Sequence, residues 1–240
     1  MLGAGFFSGI LIVIATANGV VITTDSAPAK LLSANSTRPS ESVASVGDHV
    51  VISSSGLVDW VAKAADGSII STYDFDQFTK ELAHSFGRNA RASDVAEATR
   101  TKLTGIVEHI GTTKAVGHLP NIVLVVAGLT GKKVEVWTVT AHLDSSTRPV
   151  PVDKQRNFTG GVSPYLGAYG IKRTADQLTA DWHAKAPPRL VRDSSPLTAQ
   201  EWAEVAGLMV STEPHDKPPI RQWLIVPSEK ISARTWQEPQ

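Results

Sequence analysis

Residues 10–25, "ILIVIATANGVVITTD", constrain the fold more than any other part of the sequence. Two runs of β-branched and apolar residues flank Asn18-Gly19, which is the strongest short-range signal for a two-residue hairpin. The first run is continuously apolar, as in strands that are buried on both faces. We therefore predict two buried antiparallel strands, with Asp25 at the end of the second strand and beside the start of the first. A carboxylate at that position is either an ordinary turn residue or part of a functional site.

The composition is that of a folded protein without cysteine chemistry. Apolar residues make up 42% of the 240 residues, which is enough for a sizeable core. Lys and Arg together number 23, as do Asp and Glu, so no basic field is present that would attract nucleic acid. The chain has no Cys, which excludes disulfides, thiolate metal sites and cysteine nucleophiles.

The N-terminal region has two interpretations. No charged side chain precedes Asp25, and residues 6–17 resemble the apolar core of a signal peptide with a small-residue cleavage site after Ala17. Two observations oppose this: no Lys or Arg precedes the apolar run, and cleavage there would remove the strand that pairs with the next. We therefore favour a buried first strand, no membrane span and a cytoplasmic protein. A secreted or periplasmic protein is the alternative.

The remaining patterns predict groups of strands followed by groups of helices. Ser93 and Ser163 are predicted N-caps of two of the helices, with Pro164 at the first helical position after Ser163. The stretch 57–72 is not assigned, although "LVDWVAKAA" within it has a helix-like start. Strands are predicted over residues 10–15, 20–24, 42–46, 49–55, 121–129, 133–141, 156–160 and 220–226, and helices over 74–86, 93–110, 164–184 and 198–210.

The order ββββ-αα-βββ-αα-β favours an α+β domain over a parallel βαβ sheet. A four-layer αββα sandwich, with two mainly antiparallel sheets face to face and a helix pair outside each, would bury all the apolar runs. The sequence shows no short-period repeat and no linker that splits the chain, so we predict one domain over residues 1–240. Residues 227–240 are polar and are predicted to form a peripheral tail.

Four stretches in this order resemble a known family: "NGVVITTDS", "VGDHVVISSSGLVD", "NIVLVVAGL…KVEVWTVTA" and "TGGVSPYLGAYG". Together they resemble proteasome subunits and their bacterial relatives, which are N-terminal-nucleophile (Ntn) hydrolases with an αββα sandwich. The resemblance covers about residues 8–226. It implies a homo-oligomer or ring, a peptide or protein substrate, and no cofactor.

The resemblance also implies the residues of a catalytic site. In active members the first residue of the mature chain attacks the carbonyl, and its free α-amine acts as the base. Asp25 matches the aspartate that tunes the nucleophile, and Gly56 matches the glycine whose amide binds the oxyanion. The lysine position is Ser42 here, which carries no positive charge. Counting back from Asp25, the nucleophile falls at Ser8 or Gly9, and residues 1–7 would then be a propeptide or leader.

Three functions remain open on this sequence. We favour a member of the family with a degenerate peptidase site, because the lysine is missing. The alternative is an active peptide or amide hydrolase in which Ser8 becomes the N-terminal nucleophile after cleavage. A secreted or anchored binding protein is the third hypothesis, which the apolar N-terminus permits.

Other site classes have little support in the sequence. The histidines lack the spacing of a metal site on a helix, so we predict no metal ligands. No phosphate-binding or dinucleotide-binding glycine pattern occurs, so we predict no nucleotide cofactor. The histidines are His49, His84, His109, His118, His142, His183 and His215.

Overall fold

The computed structural model describes residues 10–25, 42–55, 59–113, 121–142, 152–161, 163–170, 175–191, 197–211 and 219–237, which form a mixed α+β fold. The strands are β1 (Leu11–Thr16), β2 (Gly19–Thr24), β3 (Val43–Val46), β4 (Val50–Ser55), β5 (Asp59–Lys63), β6 (Ile69–Asp74), β7 (Ile122–Thr130), β8 (Lys133–Ala141), β9 (Asp153–Thr159), β10 (Tyr165–Tyr169), β11 (Arg221–Ile225) and β12 (Ser232–Thr235). The helices are α1 (Phe75–Phe86), α2 (Ala92–Thr113), α3 (Ala175–Lys185) and α4 (Ala199–Ser211).

Two five-stranded antiparallel sheets hold most of the strands. Sheet I has the order β10-β1-β2-β11-β12, and sheet II has the order β3-β4-β7-β8-β9. Strands β5 and β6 form a separate hairpin. The predicted α+β class and the two mainly antiparallel sheets are confirmed.

The hairpin of β1 and β2 forms where the sequence predicts it, but its turn lies one residue before the predicted Asn18-Gly19. Its turn is Ala17-Asn18, and its register pairs Thr16 with Gly19 and Leu11 with Thr24. Both strands are almost fully buried, in keeping with their continuous apolar runs.

Three apolar clusters account for the burial of the two sheets. One cluster joins α1 and α2 to one face of sheet II, and a second joins α3 and α4 to one face of sheet I. The third contains side chains from both sheets, such as Leu11 and Val13 of β1 with Val51 of β4 and Val125 of β7. Because successive side chains of a strand point to opposite faces, each sheet contributes alternate residues to two clusters.

Helix α1 matches the helix predicted over residues 74–86. Its buried face includes Phe75, Phe78 and Leu82, and Asp74 caps its N-terminus by accepting a hydrogen bond from the backbone N–H of Gln77 at 2.8 Å. In the part of the chain that the structure describes, no helix is both long enough and apolar enough to cross a membrane.

The sequence leaves one stretch unassigned, and one predicted helix is wrong. Within the unassigned residues 57–72, the structure has the β5–β6 hairpin from residue 59 onward, whose tip is the turn at Gly67. The predicted helix over 164–184 begins only at residue 175, because residues 165–169 pair with β1 as β10. Ser163 therefore precedes a strand and caps no helix. The pairing with a buried central strand overrides the helix-start signal of Ser-Pro.

The predicted N-cap at Ser93 is also displaced. Helix α2 begins at Ala92, so Ser93 lies within its first turn. The backbone N–H of Ser93 donates to the hydroxyl of Thr130 at 3.2 Å, and that hydroxyl donates to the buried carboxylate of Glu135 at 2.7 Å. A side chain from the end of β7 thus accepts from one of the first N–H groups of the helix, which have no partner within the helix.

The segment after residue 227 contains β12, which pairs with β11. Beyond β12, the indole of Trp236 packs against α4 at Gly207, and the backbone N–H of Trp236 donates to the carbonyl of Ile220 at 2.8 Å. A Cβ atom on Gly207 would lie only 2.2 Å from the indole Nε1. Glycine at 207 is therefore what lets the ring lie directly on the helix.

We predict opposite effects for two glycine-to-alanine changes in helices. Gly207→Ala displaces the Trp236 indole, and we expect a loss of about 1–3 kcal/mol in unfolding free energy from overpacking. Gly105→Ala is the matched control, since Gly105 is exposed on α2 with no atom within 4 Å of its Cβ position. It should gain about 0.5–1 kcal/mol from helix propensity alone. Urea denaturation measures both unfolding free energies. An equal gain in stability for both variants would contradict the contact between Gly207 and the Trp236 indole.

Candidate functional site

Asp25 is a buried carboxylate that closes the open end of the β1–β2 hairpin. It directly follows β2 and its residue is only 4% exposed. Its Oδ1 accepts a hydrogen bond from the backbone N–H of Ile10 at 3.0 Å, and its own N–H donates to the Ile10 carbonyl at 3.4 Å. The predicted position of Asp25, beside the start of the first strand, is confirmed.

Ser42 lies at the start of the edge strand of sheet II, whereas Asp25 belongs to the end of a central strand of sheet I. The Ser42 carbonyl accepts from the backbone N–H of Ser54 at 2.8 Å, which continues the β3–β4 pairing. Its neighbour Val43 packs in the cluster shared by both sheets, together with Leu11. Among the described contacts, Ser42 and Asp25 are not hydrogen-bonded to each other.

The two other predicted site residues, Ser8 and Gly56, lie outside the described residues. Of the predicted site, the structure therefore describes the aspartate and the serine at the lysine position. Ser8 precedes Ile10 by two residues in the sequence, and Ile10 is the residue whose amide contacts Asp25.

The chemistry available at Asp25 follows from its contacts. An ionised carboxylate accepts hydrogen bonds and donates none, and a backbone N–H already engages one of its oxygens. That bond fixes the start of β1.

A second buried polar group lies on the helix side of sheet I. The amide of Gln222 on β11 donates to Thr23 Oγ1 at 3.2 Å and to the carbonyl of Ala203 on α4 at 2.5 Å. Arg234 on β12 donates to the Gln222 oxygen at 3.0 Å. These bonds join three neighbouring strands to α4, so we assign this group a structural role.

A third polar group connects the two sheets where both are otherwise apolar. The hydroxyls of Tyr165 and Tyr169 on β10 lie 3.0 Å apart, and Tyr169 also lies 3.2 Å from the hydroxyl of Thr138 on β8. The side chain of Asn157 on β9 donates to Thr138. Both tyrosine rings lie over Gly167, where a Cβ atom would be 2.7 Å from the Tyr165 hydroxyl.

This tyrosine group was not predicted, because residues 165–169 fall within the segment that the sequence pattern predicts to be a helix. The alternation of "YLGAY", with Tyr165 and Tyr169 on one face of a strand, was the signal that could have found it. Asn157, which belongs to this group, is also the first residue of an Asn-X-Thr glycosylation sequence. Its side-chain amide donates a hydrogen bond to Thr138.

The adjacent Gly160-Gly161 pair forms the turn that ends β9. Gly160 has a φ of 50° and its N–H donates to the Val134 carbonyl at 2.9 Å. No cluster of three or more histidine or carboxylate side chains suited to a metal ion occurs within the described ranges.

We predict that removal of the Asp25 carboxylate destabilises the hairpin. Asp25→Ala leaves the buried N–H of Ile10 without its acceptor, which should reduce the unfolding free energy by about 1–3 kcal/mol. Asp25→Asn keeps a carbonyl oxygen at that position and should lose less. Chemical denaturation measures the stabilities, and hydrogen exchange at Ile10 should accelerate in the alanine variant. An alanine variant as stable as the parent protein would contradict this role.

We also predict that two of the three tyrosines resist ionisation while the protein is folded. Burial raises the pKa of Tyr165 above its usual range, and its hydrogen bond to Tyr169 adds to the shift. Burial likewise raises the pKa of Tyr73, with a further contribution from the charge of Asp74. A raised pKa in the folded state means that stability is fully present below about pH 10 and declines as the pH rises further.

The measurement is an alkaline titration of tyrosinate absorbance beside a far-ultraviolet circular dichroism signal. Ionisation of Tyr73 and Tyr165 should coincide with unfolding, and Tyr165→Phe should reduce the late absorbance change by one tyrosine. Complete ionisation of all three tyrosines before the protein unfolds would contradict the burial of Tyr73 and Tyr165.

No protein-family model matches the chain, and no curated protein sequence matches it.

Proposed function

We propose that the chain is a proteasome-like Ntn-hydrolase-fold protein with a degenerate peptidase site. Its fold would be a four-layer αββα sandwich. This proposal is supported by the three apolar clusters, because each sheet has helices against one face and shares a cluster with the other sheet on its opposite face.

One observation carries the functional part of the proposal: the buried contact between the Asp25 carboxylate and the backbone N–H of Ile10. The resemblance expects an aspartate at the end of the second strand, next to the start of the first. A surface turn would leave such a carboxylate in water, whereas here it is 4% exposed. The geometry is thus consistent with a family aspartate that keeps its position.

The degenerate character of the proposed site rests on Ser42. The family places a lysine there, whose charge stabilises the deprotonated nucleophile. A serine hydroxyl supplies no charge, so the low pKa that the nucleophile needs would have no source at this position. Asp25 would then act mainly as the anchor for the start of β1.

The second candidate is an active peptide or amide hydrolase in which Ser8 is the N-terminal nucleophile. The Asp25–Ile10 contact favours it too, because the carboxylate lies beside the chain that follows Ser8. This candidate requires cleavage between residues 7 and 8, and a base arrangement that does not use a lysine at position 42.

The third candidate is a secreted or anchored binding protein. Cleavage after Ala17 would remove β1, which is paired with β2 and β10 in the middle of sheet I. A secreted form that keeps this fold would need a cleavage site before residue 10. A cytoplasmic location, which rests on reading the apolar N-terminus as a strand, and self-association into an oligomer or ring, which rests on the resemblance, remain part of our main proposal.

The deciding experiment is the intact mass and N-terminal sequence of the purified protein, followed by hydrolysis assays with peptide and amide substrates. We expect a chain that does not begin at Ser8, no hydrolysis, and the same result for Ser8→Ala. Ser45→Ala is the control, since Ser45 is an exposed serine on β3.

A mature chain that begins at Ser8, with hydrolysis that Ser8→Ala abolishes and Ser45→Ala retains, would overturn the degenerate site and establish the second candidate. Light scattering of the same sample tests self-association, and a monomer at micromolar concentration would contradict the ring.

A further inference from the structure

A pocket of about 220 Å³ lies between the β5–β6 hairpin and the helices α1 and α2. Its described walls include Thr72 and Asp74 of β6, Gln77, Phe78 and Glu81 of α1, and Lys102 of α2. None of the described lining residues belongs to sheet I or sheet II, so this pocket is separate from Asp25 and Ser42.

One wall of the pocket carries a positive and a negative side chain in contact. The Lys102 ammonium pairs with Glu81 Oε2, and the amide of Gln77 donates to Glu81 Oε1 at 3.0 Å. The hydrogen bond from Lys102 and the one from Gln77 lower the pKa of Glu81, which favours its ionised carboxylate.

The base of the pocket is aromatic and apolar. Lys102 Nζ lies 5.4 Å from the centroid of the Phe78 ring, and Phe78 itself is buried in the cluster beneath α1 and α2. Ile106, one turn after Lys102, also lines the pocket. A ligand here would meet the Lys102–Glu81 pair on one side and a hydrocarbon surface on the other, with the Asp74 carboxylate also in the lining.

The size of the pocket limits the ligand. A volume of 220 Å³ corresponds to about seven water molecules at about 30 Å³ each. It is smaller than the roughly 300–1,000 Å³ of pockets for drug-sized ligands. The ligand would therefore be a small metabolite with few heavy atoms.

We propose that this pocket binds a zwitterionic α-amino acid with an apolar side chain, with the ammonium on Glu81 and the carboxylate on Lys102. Such a ligand opens the Lys102–Glu81 pair and gives each partner an opposite charge in exchange. The side chains of the pair are 31% and 49% exposed, so the pair is of the kind that contributes little to stability and opens readily. The ligand's hydrocarbon side chain then packs on Phe78 and Ile106.

A ligand with only one charge fits this wall less well. A simple amine would displace Lys102 from Glu81 and leave the lysine without a partner, and a simple carboxylate would do the same to Glu81. Asp74 also lines the pocket, where its carboxylate caps α1 by accepting from the backbone N–H of Gln77. The proposal depends only on the pocket and is independent of the proposed Ntn-hydrolase function.

The test is calorimetric titration of the full chain with L-leucine, 3-methylbutylamine and 4-methylpentanoate. The last two compounds are leucine without its carboxylate and leucine without its ammonium. We expect saturable binding of L-leucine and about tenfold weaker binding of each analogue. Lys102→Met and Glu81→Gln should each weaken leucine binding by about tenfold.

The matched controls are Lys80→Met and Glu108→Gln, which change exposed residues of the same two helices outside the described pocket lining. Both should bind leucine as the parent protein does, and circular dichroism confirms that all four variants are folded. No saturable leucine binding up to the millimolar range overturns the proposal. So does equal binding of the amine, which would identify a cation site, or equal weakening by the control variants.

Discussion

The burial of both faces of β1 and β2 is the constraint on which the rest of the fold depends. Nearly every residue of the two strands is inaccessible to solvent, and a strand buried in this way needs hydrogen-bonded neighbours at its edges and packed layers on both faces. Strand β10 is the hydrogen-bonded neighbour of β1, and strand β11 is the hydrogen-bonded neighbour of β2. The helices α3 and α4 cover one face, and sheet II covers the other.

The same constraint explains why polar groups occur at particular places in sheet I. A buried backbone N–H without a partner costs free energy, and the N–H of Ile10 lies at the end of the hairpin, just before the regular ladder begins. The Asp25 side chain satisfies it. A structural role for Asp25 and a functional one are therefore compatible, because the carboxylate that binds the Ile10 N–H lies at the start of β1 in both cases.

The sequence predicted the elements whose signal is local. The apolar runs and the Asn18-Gly19 signal were sufficient to place the β1–β2 hairpin, although its turn is Ala17-Asn18, and apolar residues at helical spacing were sufficient for α1. The two large sheets followed from the order of these elements. The alternation of apolar residues could not by itself decide which strands are neighbours, since that depends on contacts far apart in the chain.

The errors occurred where a long-range contact competes with a local signal. Ser163-Pro164 is a good helix start in isolation, but pairing of Tyr165 to Tyr169 with the buried β1 has the larger effect. The N–H of Ser93 in the first turn of α2 donates to Thr130 from another part of the chain, a contact that no local pattern could identify. Of the candidate site, sequence reasoning located Asp25 because it is fixed by a hairpin register. It could not find the tyrosine group between the sheets.

The β5–β6 hairpin shows how such a long-range effect also creates a surface feature. Strand β6 is mostly exposed, so its sequence lacks the apolar pattern that made β1 and β2 recognisable. It is held against α2 by contacts such as that of the His109 Nε2 with the Ile70 carbonyl at 3.1 Å. Together with α1 and α2, this hairpin lines a small pocket whose wall carries the Lys102–Glu81 ion pair.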